Sequence, residues 1–80
     1  MEERLFAFVQ DVVYQVTGKK GLVYDTDFVK DLCLTSFDVM NIVCVFEDHF
    51  DIEIPNRDVW QLHQVKDVIH YMIQKGYTDV

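Results

Sequence analysis

The stretch that decides the fold lies at residues 35–50 and reads TSFDVMNIVCVFEDHF. Thr35, followed three residues later by Asp38, fits the capping box with which many helices begin. After it, hydrophobic residues recur every three to four positions, which predicts an amphipathic helix with one face toward a core. Glu47 and Asp48 are expected to face water. The predicted inward positions are Ile42, Val43, Phe46 and Phe50.

The same periodicity appears on both sides of this run, at residues 5–16 and 65–75. A glycine follows each of these runs, Gly18 and Gly76, and glycine readily adopts the left-handed conformation that ends a helix. Residues 19–34 show no sustained period and are expected to form a long loop between the first and second helices. Its expected inward anchors are Phe28, Val29 and Leu32.

Residues 50–55 alternate hydrophobic and acidic side chains, as a short strand would. A partner strand is not evident elsewhere in the sequence, and Pro55 would interrupt a ladder, so we expect a connector followed by a short third helix. That helix runs toward Trp60, whose ring is expected in the core because a lone tryptophan in a small domain is usually buried. The predicted fold is all-α: a four-helix bundle of three long helices and one short helix, with the long loop between the first two.

Size and charge narrow the possible functions. The sequence of 80 residues leaves room for one core, so we expect a single domain over residues 1–80. Fourteen acidic and seven basic residues give a net charge of −7, which disfavours nucleic acid and favours a protein partner with a basic patch. Neither a secretory signal nor a membrane-spanning run is evident, so we expect a cytoplasmic protein without membrane insertion.

The sequence lacks the residue patterns of an enzyme, namely a nucleophile with its base, paired carboxylates or spaced metal ligands. The histidines His49, His63 and His70 do not have ligand spacing and are expected at the surface. Cys33 and Cys44 stand eleven residues apart, without a CxxC motif, and are expected to be buried or half-buried free thiols. We therefore expect a non-catalytic protein without a metal.

Two segments resemble the acyl carrier protein family: FVKDLCLTSFD at residues 28–38 and FEDHFDIEIP at residues 46–55. The family pattern is Asp-Leu-Gly-x-Asp-Ser-Leu-Asp, then an acidic helix reading Leu-Glu-x-x-Phe, then Ile-Pro, and the match continues to Tyr71. The resemblance implies that Ser36 is the attachment site of a 4′-phosphopantetheine arm donated by coenzyme A. It further implies that the arm carries acyl groups as thioesters, for fatty-acid, polyketide or related biosynthesis.

The chain departs from the family pattern next to the serine. Thr35 stands where the family has Asp, Cys33 where it has Gly, Phe37 where it has Leu and Asn41 where it has Glu. The missing acid at position 35 removes a charge near the metal and basic residues of the transferase. Modification is therefore expected to be slower or to need a dedicated transferase.

The resemblance also implies a docking face on the second helix. Its expected partners are a phosphopantetheinyl transferase and acyl-handling enzymes with basic patches. We expect the carrier itself to be a monomer. The residues expected on this face are Phe37, Asp38, Met40, Asn41, Cys44, Glu47 and Asp48.

Two alternatives stay open at this point. The Ser-Phe pair and the RDVW run at residues 57–60 are also similar to the D-alanyl carrier proteins, which would make the cargo an aminoacyl group. An unmodified interaction module is the other alternative, in which Ser36 serves only as a helix cap. The cargo, the pathway and any sequestration of cargo between the helices do not follow from the sequence.

Overall fold

Four helices form the structure, a computed structural model that describes residues 2–80. They are α1 (Glu2–Thr17), α2 (Ser36–Phe50), α3 (Asn56–Val59) and α4 (Val65–Lys75). The predicted order of three long helices and one short helix is confirmed. Over residues 2–80 the β-type backbone pairing consists of one isolated antiparallel bridge, between Asp27 and Gln64. In that same range, none of the helices has the length and hydrophobicity needed to cross a membrane.

The core is built around α1, which packs against both α2 and α4. Hydrophobic residues at three-four spacing place one stripe of each helix inside, as the sequence predicts. The largest side chains that are fully buried are Leu5, Val9, Val13, Val65, Ile69 and Met72. Phe46 brings α2 into the same cluster. Each long helix therefore depends on the others to cover its hydrophobic face.

The helix ends follow the predicted chemistry. The Thr35 hydroxyl accepts a hydrogen bond from the Asp38 N–H at 3.2 Å, and the Asp38 carboxylate accepts one from the Thr35 N–H at 3.1 Å. This reciprocal pair is the capping box. Gly76 closes α4 with φ at 81°, a left-handed value that glycine adopts without strain.

The long loop at residues 19–34 is held by the connection between α3 and α4. Phe28 donates its N–H to the His63 carbonyl at 3.0 Å, and Val65 donates its N–H to the Thr26 carbonyl at 3.0 Å. These bonds satisfy backbone groups that would otherwise lie unpaired against the core. This pairing was not predicted, because neither segment has a strand-like pattern.

Two expectations about hydrophobic side chains were wrong. Val29 is 59% exposed instead of anchoring the loop, because Phe28 takes the inward position and the Val29 N–H turns toward the Asp27 carboxylate. Trp60 is 49% exposed instead of lying in the core. In the single turn of α3, Val59 fills the buried position and leaves the next residue outside.

The expectation of buried or half-buried thiols was also wrong, because Cys33 and Cys44 are both exposed free cysteines. Cys33 lies in the loop before α2 in a left-handed conformation, with φ at 57°, and its neighbour Leu34 takes the buried position. Cys44 follows the buried Val43 on α2 and falls on the outer side of that helix.

Candidate functional site

Ser36 is the first residue of α2 and is exposed. The residue that caps the helix is Thr35, so the interpretation of Ser36 as the helix cap is wrong. Within residues 2–80 the Ser36 side chain has no hydrogen-bond partner. Its hydroxyl is therefore free to react and is not needed to hold the helix start.

The environment of Ser36 suits a phosphate ester. The first backbone N–H groups of a helix have no partner within the helix, and the helix dipole places partial positive charge at this end. An anion on the Ser36 oxygen would lie beside those groups. The nearby carboxylate of Asp38 is half-buried and already accepts the Thr35 N–H, which directs it toward the backbone.

The segment leading to Ser36 is fixed by its own turn. Leu34 is buried and donates its N–H to the Phe28 carbonyl at 3.0 Å. The Asp27 carboxylate accepts the N–H groups of Lys30 at 2.8 Å and Val29 at 2.9 Å. These backbone hydrogen bonds, that from Lys30 foremost, lower the pKa of Asp27. Ser36 thus follows an ordered turn and precedes a capped helix.

The predicted docking residues do not all present the same surface. Phe37 is 75% exposed, and Cys44 and Asp48 are also exposed. The half-buried members of the set are Asp38, Met40, Asn41 and Glu47. The accessible part of this face is therefore a large hydrophobic side chain beside Ser36, the Cys44 thiol about two turns farther along the helix and the Asp48 carboxylate about three turns along it.

Glu47 has a structural role that the sequence did not suggest. Its carboxylate accepts a hydrogen bond from the Ile54 N–H at 2.8 Å, which ties the connector after α2 back to the helix. The expectation that Glu47 faces water is wrong, because this contact leaves the side chain half-buried. Its neighbour Asp48 is exposed as expected.

A hydrophobic cavity of about 50 Å³ lies beneath α2. Its walls come from α2, α4 and the region around α3. Residues that line it include Val39, Ile42, Phe46, Ile54, Val59 and Tyr71.

Tyr71 is one of two tyrosines that line this cavity, the other being Tyr77, and sequence reasoning assigned Tyr71 no role. Its hydroxyl donates a hydrogen bond to the Asp58 carboxylate at 2.9 Å, which joins α4 to α3. Burial, followed by the hydrogen bond and the charge of Asp58, raises the pKa of Tyr71 to about 12. The charged and titratable groups near the ring are Asp58 on α3, Lys75 on α4, with its Nζ 5.7 Å from the ring centroid, and Tyr77 beyond α4.

The raised pKa predicts how stability responds to alkaline pH. The fold favours the neutral phenol, so the contribution of Tyr71 is complete below the unfolded value near 10 and is lost as pH rises through about 12. Urea denaturation measures the free energy of unfolding at each pH. As pH rises from about 10 to about 12, we expect this free energy to fall more steeply in the parent than in Tyr71→Phe. Other groups titrate in both proteins and cancel in the comparison. Parallel profiles would contradict the prediction.

The comparisons with known proteins agree on one family. The protein-family model described as "Phosphopantetheine attachment site" matches residues 7–72. An acyl carrier protein of Bdellovibrio bacteriovorus is 33% identical over 70 residues, which cover 85% of this chain and 90% of the relative. An acyl carrier protein of Akkermansia muciniphila is 32% identical over 72 residues, with 90% and 88% of the two chains covered.

A solved structure matches the whole bundle. The crystal structure of an acyl carrier protein from Thermotoga maritima superposes with a TM-score of 0.80 at 28% identity. The superposition covers 95% of this chain and 91% of the other. The similarity therefore extends over all four helices.

Proposed function

Because the chain belongs to the acyl carrier protein family, we propose that Ser36 is the residue to which its 4′-phosphopantetheine arm is attached. Members of this family carry acyl groups and are not enzymes. The arm supplies a terminal thiol on which acyl groups are held as thioesters. The role of the protein is to present that tethered cargo to one enzyme after another at high effective concentration.

The observation that carries the proposal is the position of Ser36. It is exposed at the first position of α2. Because Thr35 caps the helix, the Ser36 hydroxyl is not needed for capping. It is also the one serine among the 80 residues. A serine-linked arm therefore has a single place of attachment in this sequence.

The test is the intact mass of the protein after incubation with coenzyme A, magnesium and a broad-specificity phosphopantetheinyl transferase. A gain of about 340 Da, the mass of the arm, supports the carrier role. Peptide mapping should place the added mass on the tryptic peptide that contains Ser36. An unchanged mass with several transferases would favour the unmodified interaction module.

We infer that α2 is the docking face for partner enzymes, with Phe37, Cys44 and Asp48 as its accessible members. Between Lys30 and Arg57 the sequence has acids and no Lys or Arg, so this side of the protein attracts a basic patch. Fatty-acid and polyketide pathways both suit such a carrier. The single-domain organisation, the monomeric state and the cytoplasmic location stay predictions.

Glu47 and Asp48 are expected to respond differently to the loss of their charges. Asp48→Asn should leave the free energy of unfolding within about 0.5 kcal/mol of the parent and slow arm attachment, because an exposed charge acts mainly on encounter with a basic partner. Glu47→Ala should lower that free energy by about 1 kcal/mol, because the Ile54 N–H loses its acceptor.

Urea unfolding and the rate of arm attachment at two salt concentrations measure these effects. The difference in rate between Asp48→Asn and the parent should shrink as salt rises, because screening weakens the lost attraction. Equal losses of stability in the two variants would contradict the assignment of Glu47 to the connector.

A further inference from the structure

The short helix α3 is lightly held within residues 2–80. It is one turn long and begins at Pro55 without a side-chain cap. The extensive helix–helix contacts join α1 with α2 and α1 with α4, and α3 does not share in them. It is anchored by Val59, which is 3% exposed, and by Asp58, whose carboxylate accepts the Tyr71 hydroxyl.

This polar anchor lies where α3 forms a wall of the cavity. The cavity is lined by Val59 and the flanking residues Ile54 and Leu62, together with Tyr71 and Met72 of α4. Tyr71 both lines the cavity and bonds to α3. Separation of α3 from α4 must therefore break this bond and would widen the cavity at the same place.

We propose that the hydrogen bond between Tyr71 and Asp58 is a latch that holds α3 against α4 and controls the opening of the cavity. While the bond is made, the cavity stays small and closed against α3. When it breaks, α3 moves outward and the hydrophobic lining becomes accessible. The use of this opening by a tethered acyl chain rests on the proposed function, whereas the mechanical role of the bond does not.

The hydrogen bond between Tyr71 and Asp58 is strong, but a competing basic group can still reach it. A hydrogen bond to a carboxylate is stronger than one between neutral groups, and partial burial protects it from water. The Asp58 side chain is nevertheless 23% exposed, and the Arg57 Nε lies 3.9 Å from its other oxygen. A basic group on a docked enzyme can reach this carboxylate and compete with Tyr71. Docking would then favour opening.

The test compares backbone amide exchange in the unmodified parent, Tyr71→Phe and Asp58→Ala by NMR. The amides of Val59 and Trp60 donate within α3 and report its opening, and those of Val12 and Val13 in α1 report global unfolding. In the parent, the α3 amides should exchange faster than the α1 amides, which shows a separate opening. In either variant, the α3 amides should exchange roughly tenfold faster than in the parent.

Tyr14→Phe is the matched control, because Tyr14 is 53% exposed on α1 and loses the same hydroxyl. It should leave α3 exchange unchanged. The double variant should exchange at α3 no faster than either single variant, since both remove one bond. Unchanged α3 exchange in Tyr71→Phe would overturn the proposal. If the α3 amides of the parent exchange no faster than the α1 amides, α3 opens only when the whole protein unfolds. That result would overturn the proposal as well.

These readouts do not involve the arm. Failure of arm attachment at Ser36 would leave the exchange result intact, and failure of the latch would leave the mass gain intact. The fluorescent probe 1-anilinonaphthalene-8-sulfonate gives a second measurement of the opening. Its fluorescence should rise in Tyr71→Phe and Asp58→Ala relative to the parent and Tyr14→Phe, and equal fluorescence in all four proteins would count against the latch.

Discussion

Ser36→Ala is expected to abolish attachment of the phosphopantetheine arm. Incubation with coenzyme A, magnesium and transferase should add about 340 Da to the parent and nothing to the variant. The effect is complete because the substitution removes the attacking oxygen and the 80 residues offer no second serine. The cap is not lost at the same time, since it belongs to Thr35. Intact-protein mass spectrometry of both samples under identical conditions measures the difference.

The variant also serves as its own folding control. An exposed side chain without a hydrogen-bond partner among residues 2–80 contributes little to the native state, so the free energy of unfolding should stay within about 0.5 kcal/mol of the parent. A well-folded variant that still gains the arm would place the attachment elsewhere. A variant that no longer unfolds cooperatively would show that Ser36 has a structural role.

Ile69→Ala is expected to produce the largest loss of stability. Ile69 is 0% exposed and belongs to the cluster in which α1, α2 and α4 meet. Truncation of a fully buried isoleucine costs about 2–5 kcal/mol, because the transfer energy is lost and a cavity remains. In a domain of this size, such a loss lowers the melting temperature by roughly 8–40 °C. Thermal unfolding followed by circular dichroism measures it.

Ile73→Ala is the matched control for Ile69→Ala. Both residues lie on α4 and undergo the same chemical change, so the gain in helix propensity is shared. Ile73 is 38% exposed, and its truncation should cost less than about 1 kcal/mol. Similar losses at the two positions would contradict the assignment of the core to the Ile69 side of the helix.

The helices were predictable because their signals are local. Three-four spacing placed the buried faces of α1 and α4, and Thr35 with Asp38 marked the start of α2 to the residue. These features depend on neighbours within one turn, so a single sequence contains them. Ser36 was found through the family pattern and not through its chemistry, since an isolated serine at a helix start is ordinarily a cap.

The parts that were missed depend on contacts between distant segments. The Tyr71 hydroxyl meets Asp58 thirteen residues away, and the Glu47 carboxylate meets Ile54 across the end of α2. Neither pair has a spacing that sequence rules recognise. Trp60 was placed in the core from its size, but a single helical turn can bury few side chains and Val59 took that place.

The hydrogen bonds between the loop at residues 19–34 and the α3–α4 connection bear on the proposed docking of a partner beside Ser36. They join segments that are about 35 residues apart, as from Phe28 to His63, so this surface is assembled before an enzyme arrives. An enzyme that docks there orders little backbone, and the complex loses correspondingly little conformational entropy on forming. Its lifetime then depends mainly on the few side chains in contact, so one enzyme can leave quickly and give the next its turn.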